Sequence, residues 1–196
     1  TTLFRSWLLA AIRPGAAFMA APVFGAPSVP VQLRLVIALA IGVPAASISG
    51  LTLPADGFVS VAGIMMIISE VLLGLAMGFA VQIGFAAALV GGEAVSNAMG
   101  LGFASMNDPM GGQSSAAIGQ LLSMLGTFLF LCMGGHLILA SIIIESFRAM
   151  PPGEAWMSAK ALGGMVRFGG LVFSAGMSVA LPVGFAMVLV HVIMAV

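Results

Sequence analysis

"FVSVAGIMMIISEVLLGLAMGFAVQIGFAAALV" runs from Phe58 to Val90 with a single charged residue, Glu70. The run is too long for a strand and lacks the period-2 polar alternation of a membrane barrel, so it reads as helix. At 1.5 Å per residue that helix is about 50 Å long, whereas the hydrocarbon core of a bilayer is about 30 Å thick. Tilt absorbs only part of the excess. A carboxylate inside such a run is costly unless paired or protonated. Glu70 is therefore expected to meet a polar partner, and most of the helix face to meet protein.

The same apolar character extends over the chain. Of 196 residues, 61% are hydrophobic and 6% charged, against about 25% charged in a typical soluble domain; mean hydropathy is +1.23. So few polar groups cannot cover a water-facing surface, and the chain must face lipid, other protein, or both. Six Lys and Arg balance six Asp and Glu, leaving no basic field for nucleic acid. Cys132, alone in an apolar run, can form neither an internal disulfide nor a thiolate metal site. The 26 glycines suit close helix approach in an apolar medium. No basic leader precedes a short apolar core, so no signal peptide is expected.

Five apolar segments predict an all-α fold of long, kinked helices and helical hairpins. The first, about Leu3 to Val23, is expected to kink or restart at Arg13-Pro14. A turn-like "PVFGAPSVP" leads to the second, Val31 to about Ser49. The third runs from Phe58 to about Ala98, the fourth from Ala116 to Phe147, and the fifth from Ala161 to Val196 with Pro182 inside. No Lys or Arg lies between Arg34 and Arg148, so both intervening loops should be non-cytoplasmic. One straight crossing by the third segment contradicts that. Either this segment doubles back at Gly91-Gly92, or the helices are not conventional spans and lie largely against other protein.

Glu70, Gly74 and Gly78 recur every four residues and share one helical face. They fit a carboxylate beside a close-packing seam, at a subunit contact or on an ion path. They equally fit a hydrogen-bonded glutamate with ordinary small-residue packing. Glu93 and Asn97 are i,i+4 neighbours able to support each other or cap the helix end. Glu70 and Glu93 would stand about 140° apart on one helix, which disfavours a paired-carboxylate site. Glu145 and Arg148 are spaced for a local ion pair, and His136, after Gly134-Gly135, for an interhelix hydrogen bond in preference to a proton relay. His191 is a weaker case of the same kind. No HExxH, GxSxG or Walker lysine is present, so no enzyme, metal or cofactor is expected.

In order, "APVFGAPSVPVQLRLVIALA" (Ala21–Ala40), Glu70-xxx-Gly74-xxx-Gly78, "GGEAVSNAMGLGFASMNDP" (Gly91–Pro109) and "GGHLILASIIIESFRAMPPG" (Gly134–Gly153) resemble the FliR family of flagellar type III export-gate proteins. The ordered set is specific, and its wording is closer to the flagellar than to the injectisome members. The resemblance implies a single export-gate subunit domain over residues 1–196, with a further helix pair and tail beyond Val196. It implies one copy joined with several copies of FliP and FliQ in a helical, partly extra-membrane channel of the bacterial inner membrane and flagellar basal body. FlhB and FlhA would adjoin it, unfolded flagellar proteins would be its cargo, and the proton motive force would act through other export components.

The resemblance also assigns the loop from Phe103 to Gln113 as part of the plug of the closed pore. Phe103, Met106 and Met110 supply adaptable apolar bulk. Asn107, Asp108-Pro109, Gly111-Gly112 and Gln113 supply polar, turn and hinge chemistry. Without the resemblance the same residues read as a plain surface turn. The rival from another class is a small secondary transporter or ion channel with a polar path through Glu70, Glu93 and His136, although no internal repeat of the transporter kind stands out. An intramembrane enzyme is a third.

Overall fold

Val61–Val90, nearly all of that run, falls within one continuous helix of 38 residues in the computed structural model, which describes residues 2–49, 58, 60–100, 117–152 and 159–195. Every regular element among the described residues is helical. In chain order these are α1 (Thr2–Ala20), α2 (Val31–Ser49), α3 (Val61–Ala98), α4 (Ala117–Cys132), α5 (Gly135–Ala149) and α6 (Ala159–Met194). The all-α expectation stands, and α2 matches its predicted segment.

One open alternative is closed and two sequence readings are corrected. The third segment does not double back, because Gly91 and Gly92 are helical and buried. A Cβ on Gly91 would stand 2.9 Å from the Gly176 carbonyl oxygen, and one on Gly92 would fall on the Gly119 backbone. These glycines admit neighbouring helices instead of turning the chain.

The first segment does not restart at Arg13-Pro14, since α1 continues through Pro14 to Ala20. An interior proline costs about 3 kcal/mol locally, but Leu9, Ala10, Ala11, Arg13, Pro14, Ala16 and Ala17 are all buried. Tertiary packing outweighs the local cost.

The fourth segment is two helices. Gly134 takes a left-handed conformation at φ 70, ψ 25, which glycine adopts without a Cβ penalty. Its carbonyl accepts from the Leu137 and Ile138 amides, starting α5 in a new direction.

The helices divide into two compact units, Thr1–Gln82 with Leu131–Gly163, and Ile83–Phe130 with Gly164–Val196. In the first, α1 and α2 form a hairpin whose small residues let it close. A Cβ on Gly42 would meet the Ala11 backbone at 2.9 Å, and one on Gly15 would lie 3.6 Å from the Ala38 Cβ. A stripe on α5, Leu139, Ile143 and Phe147, packs with Ala17, Phe18 and Ala21 and with Ile41 and Ala45. These three residues repeat every four positions and so share one face. In the second unit, Phe85 and Phe130 meet edge to face at 5.7 Å, and a Cβ on Gly126 would lie 3.8 Å from the Phe85 ring.

The α1–α2 turn is tight. The Phe24 amide donates to the Pro22 carbonyl at 2.9 Å around Val23, whose φ is +73. This is the rare and strained hand of the γ-turn, and it directs Phe24 edge-on to Phe18 at 4.9 Å. A β-branched residue there stores roughly 1–3 kcal/mol of strain. Val23→Gly is expected to stabilise the chain by about 1 kcal/mol, the relieved strain less the entropy cost of glycine. Thermal unfolding in detergent would show it as a higher midpoint. A lower midpoint would mean that contacts of the valine side chain outweigh the strain.

Candidate functional site

The polar partner of Glu70 is Arg13. The Arg13 Nε donates to Glu70 Oε2 and its Nη2 to Oε1, each at 2.8 Å, across 57 residues of sequence. Both side chains have 0% exposure. The rest of the guanidinium is also engaged, with Nη1 donating to Ser146 Oγ at 2.9 Å and Nη2 to the Met150 carbonyl at 2.9 Å. Arginine carries five N–H donors in a fixed fork, and four hydrogen bonds are made here. Phe147 covers the guanidinium from one face, with its ring centroid 4.0 Å from the Arg13 Cζ. That geometry falls within the range of a cation–π contact.

Each part follows from local structure. Ser146 and Phe147 lie in the last turn of α5, and Met150 caps it, its amide donating to the Ser146 carbonyl. Arg13 therefore brings a positive charge to the C-terminal end of α5, where the helix dipole and orphan carbonyls favour one. Ser146 Oγ also donates to the Ile143 carbonyl at 2.6 Å, so its hydroxyl is satisfied both ways.

The glycine seam continues the contact between α3 and α1. A Cβ on Gly74 would fall on the Arg13 carbonyl oxygen, with the Ala16 Cβ at 2.7 Å. One on Gly78 would fall on the Ala17 carbonyl oxygen, with the Ala20 Cβ at 2.8 Å. Glu70, Gly74 and Gly78 thus form one ladder against α1, and the seam is filled by this same chain.

Energetically the pair specifies more than it stabilises. Taking two charges out of water costs several kcal/mol per ion, and good bidentate geometry with added hydrogen bonds roughly recovers it. What the arrangement enforces is register: α1, α3 and the end of α5 satisfy these groups only in one mutual position. Chemically it is a clamp. Both Glu70 oxygens are occupied, which leaves no free carboxylate there for a base or an ion path.

The other expected polar residues are not drawn into this cluster. Glu93 and Asn97, read as able to support each other or cap the helix end, are exposed on α3. Glu145 and Arg148 do approach, at 3.9 Å, but with 75% and 64% of their side chains exposed; such a pair contributes little. His136, expected to make an interhelix hydrogen bond, has its Nδ1 buried without a partner among the described residues. Cys132 is exposed, as is His191. The segment from Phe103 to Gln113 lies outside the described residues.

Arg13, Ser146, Phe147 and Met150 escaped the sequence reading. A usable signal existed for Arg13. It is a cation inside one apolar helix, and Glu70 an anion inside another, so each leaves a cost that the other offsets. The proline at position 14 drew attention to backbone instead.

The family of "Bacterial export proteins, family 1" matches residues 4–196, a range that includes the whole cluster and the glycine seam. The chain is similar to the "Flagellar biosynthetic protein FliR" of Pectobacterium carotovorum subsp. carotovorum, 36% identical over 124 residues, covering 63% of this chain and 48% of that protein. It is similar to the protein of the same description from Escherichia coli (strain K12), 31% identical over 163 residues, covering 83% of this chain and 61% of that one. For the Caulobacter vibrioides protein the identity is 29% over 185 residues, 93% of this chain and 73% of that one. The chain thus spans about half to three-fifths of the length of the first two relatives. A match running from residue 4 to residue 196, together with helices long and apolar enough to cross a membrane, places the chain in bacterial export protein family 1.

Proposed function

We propose that the chain is a structural and gating subunit of the flagellar type III protein-export channel, forming the core export gate with FliP and FliQ in the inner-membrane part of the basal body. FlhB and FlhA would adjoin it, and unfolded flagellar proteins would pass through the assembly as cargo. The names of the relatives support the flagellar assignment. The observation that carries the subunit reading is the stretch Gly163–Met194 of α6. Its 32 residues have a hydropathy of 2.2, yet only 6% of its most apolar window is buried within the chain. That stretch would be about 48 Å long, longer than the roughly 30 Å of hydrocarbon in a bilayer. Lipid cannot cover all of it, and neighbouring subunits would complete the cover. The geometry leaves little for catalysis, because the buried acid is fully engaged with Arg13.

On this reading residues 103–113 help plug the closed pore. Phe103, Met106 and Met110 would seal against apolar side chains of other subunits, and Gly111-Gly112 would let the segment withdraw. Deleting Met106–Gly112 is then expected to leave co-purification with FliP and FliQ at the parental ratio, while the closed channel leaks small ions. Replacing Gly111 and Gly112 by proline is expected to restrict the backbone and slow export without leakage. Conductance of cells making each variant checks both. A deletion that assembles and stays as tight as the parent reduces the segment to a plain turn; one that fails to join FliP and FliQ contradicts its role as a plug.

A further inference from the structure

An open groove of about 520 Å³ runs along α1, α2 and α3 within the first unit. Its walls are aliphatic, with Leu8, Ile12 and Met19 from α1, Leu35 from α2, and Val71 and Leu75 from α3. Arg34 is the only charged residue in its lining. The hairpin register puts Arg34 opposite Met19, at the end of the groove next to the α1–α2 turn, with Leu8 toward the other end. The Arg34 Nη2 donates to the Ala26 carbonyl. Its Nε is buried and has no hydrogen-bond partner among the described residues, a state that buried donors rarely keep.

The occupant this pattern fits is apolar along its length and anionic at one end. A helix, about 10–12 Å across with its side chains, would enter the groove only by one face. A flexible hydrocarbon chain is narrower, and walls of Leu, Ile, Val and Met suit one that lacks aromatic or polar groups. Basic pockets between membrane helices take lipid head groups by the same electrostatics. We propose that this groove holds one acyl chain of an anionic phospholipid, with its phosphate accepting from Arg34. A phosphate oxygen would form a charge-assisted hydrogen bond with the outer nitrogens of the guanidinium. The site depends on the groove and Arg34 alone, so it stands or falls separately from the export role.

The full chain, purified in mild detergent, would be titrated with dioleoyl phosphatidylglycerol and, in parallel, with dioleoylglycerol, which has the same chains and no phosphate. Native mass spectrometry would count the lipids retained. One phosphatidylglycerol should be retained about tenfold more strongly than dioleoylglycerol, the ratio that one charge-assisted hydrogen bond supplies. Arg34→Gln should bring that ratio close to one. Leu75→Glu, at a residue that is 39% exposed and so tolerant of change, should weaken retention of both lipids. Circular dichroism at parental helicity would show each variant folded. Equal retention of the two lipids by the parent overturns the proposal, and so does a preference that survives Arg34→Gln. Retention of neither lipid, with the groove shielded from a thiol reagent at Leu75→Cys only when partner subunits are bound, assigns it to a protein occupant and also overturns it.

Discussion

Glu70→Ala is expected to cost the chain about 3–5 kcal/mol, because it leaves the Arg13 guanidinium buried with no counter-charge. Against a total stability of about 5–15 kcal/mol for a typical domain, that is a large fraction. It should appear as a steep fall in thermal midpoint and in the yield of monodisperse protein. The paired change Arg13→Met with Glu70→Leu removes both charges and should return most of the loss, since well-packed apolar replacements of a buried pair are often neutral. The single variant separates a clamp from an incidental contact. Glu70→Ala melting at the parental midpoint would show that the pair is not held away from solvent as the 0% exposure of both side chains requires.

Gly74→Leu and Gly78→Leu are expected to be comparably severe. Overpacking a core usually costs about 1–3 kcal/mol, but there the neighbours can adjust. Here the added atoms would meet the carbonyl oxygens of Arg13 and Ala17 and the Cβ atoms of Ala16 and Ala20, which belong to the body of α1. The helices have to separate, and α1 would take Arg13 with it. Each change is therefore expected to cost about 3 kcal/mol or more, at the upper end of the overpacking range. Gly74→Leu combined with Glu70→Ala should lose less than the sum of the two, since both break the same contact. Full additivity in unfolding midpoints would mean that seam and ion pair act independently.

Periodicity and length made the helices legible in the sequence. The long apolar runs marked α3 and α6 as helix, and the glycine spacing placed Glu70, Gly74 and Gly78 on one face. What the sequence could not settle were contests between local rule and tertiary packing. Pro14 argues for a break, yet the buried alanines around it hold α1 continuous. Gly91-Gly92 resembles a turn, but serves as a place where Gly119 and Gly176 approach. Gly134 does break its run, because the chain there adopts a positive φ. The glycine pairs Gly91-Gly92 and Gly134-Gly135 have the same composition signal and different outcomes. The same limit hid Arg13: spacing rules work within one helix, and a partner 57 residues away obeys none of them.

That separation bears on how the protein is made. Arg13 leaves the ribosome 57 residues ahead of Glu70 and 133 ahead of Ser146. At roughly 5–20 residues per second, Arg13 waits about 3–11 s for its carboxylate. Through that interval α1 carries an uncompensated guanidinium, which on its own costs about 2.5–3.5 kcal/mol at the middle of a bilayer. α1 is thus poorly suited to be committed to lipid before α3. Its charge is offset only once Glu70 is present, and its last hydrogen bonds wait for the end of α5. Seating of this unit is accordingly expected to be late and concerted, with α1 settled only when α3 and α5 are in place.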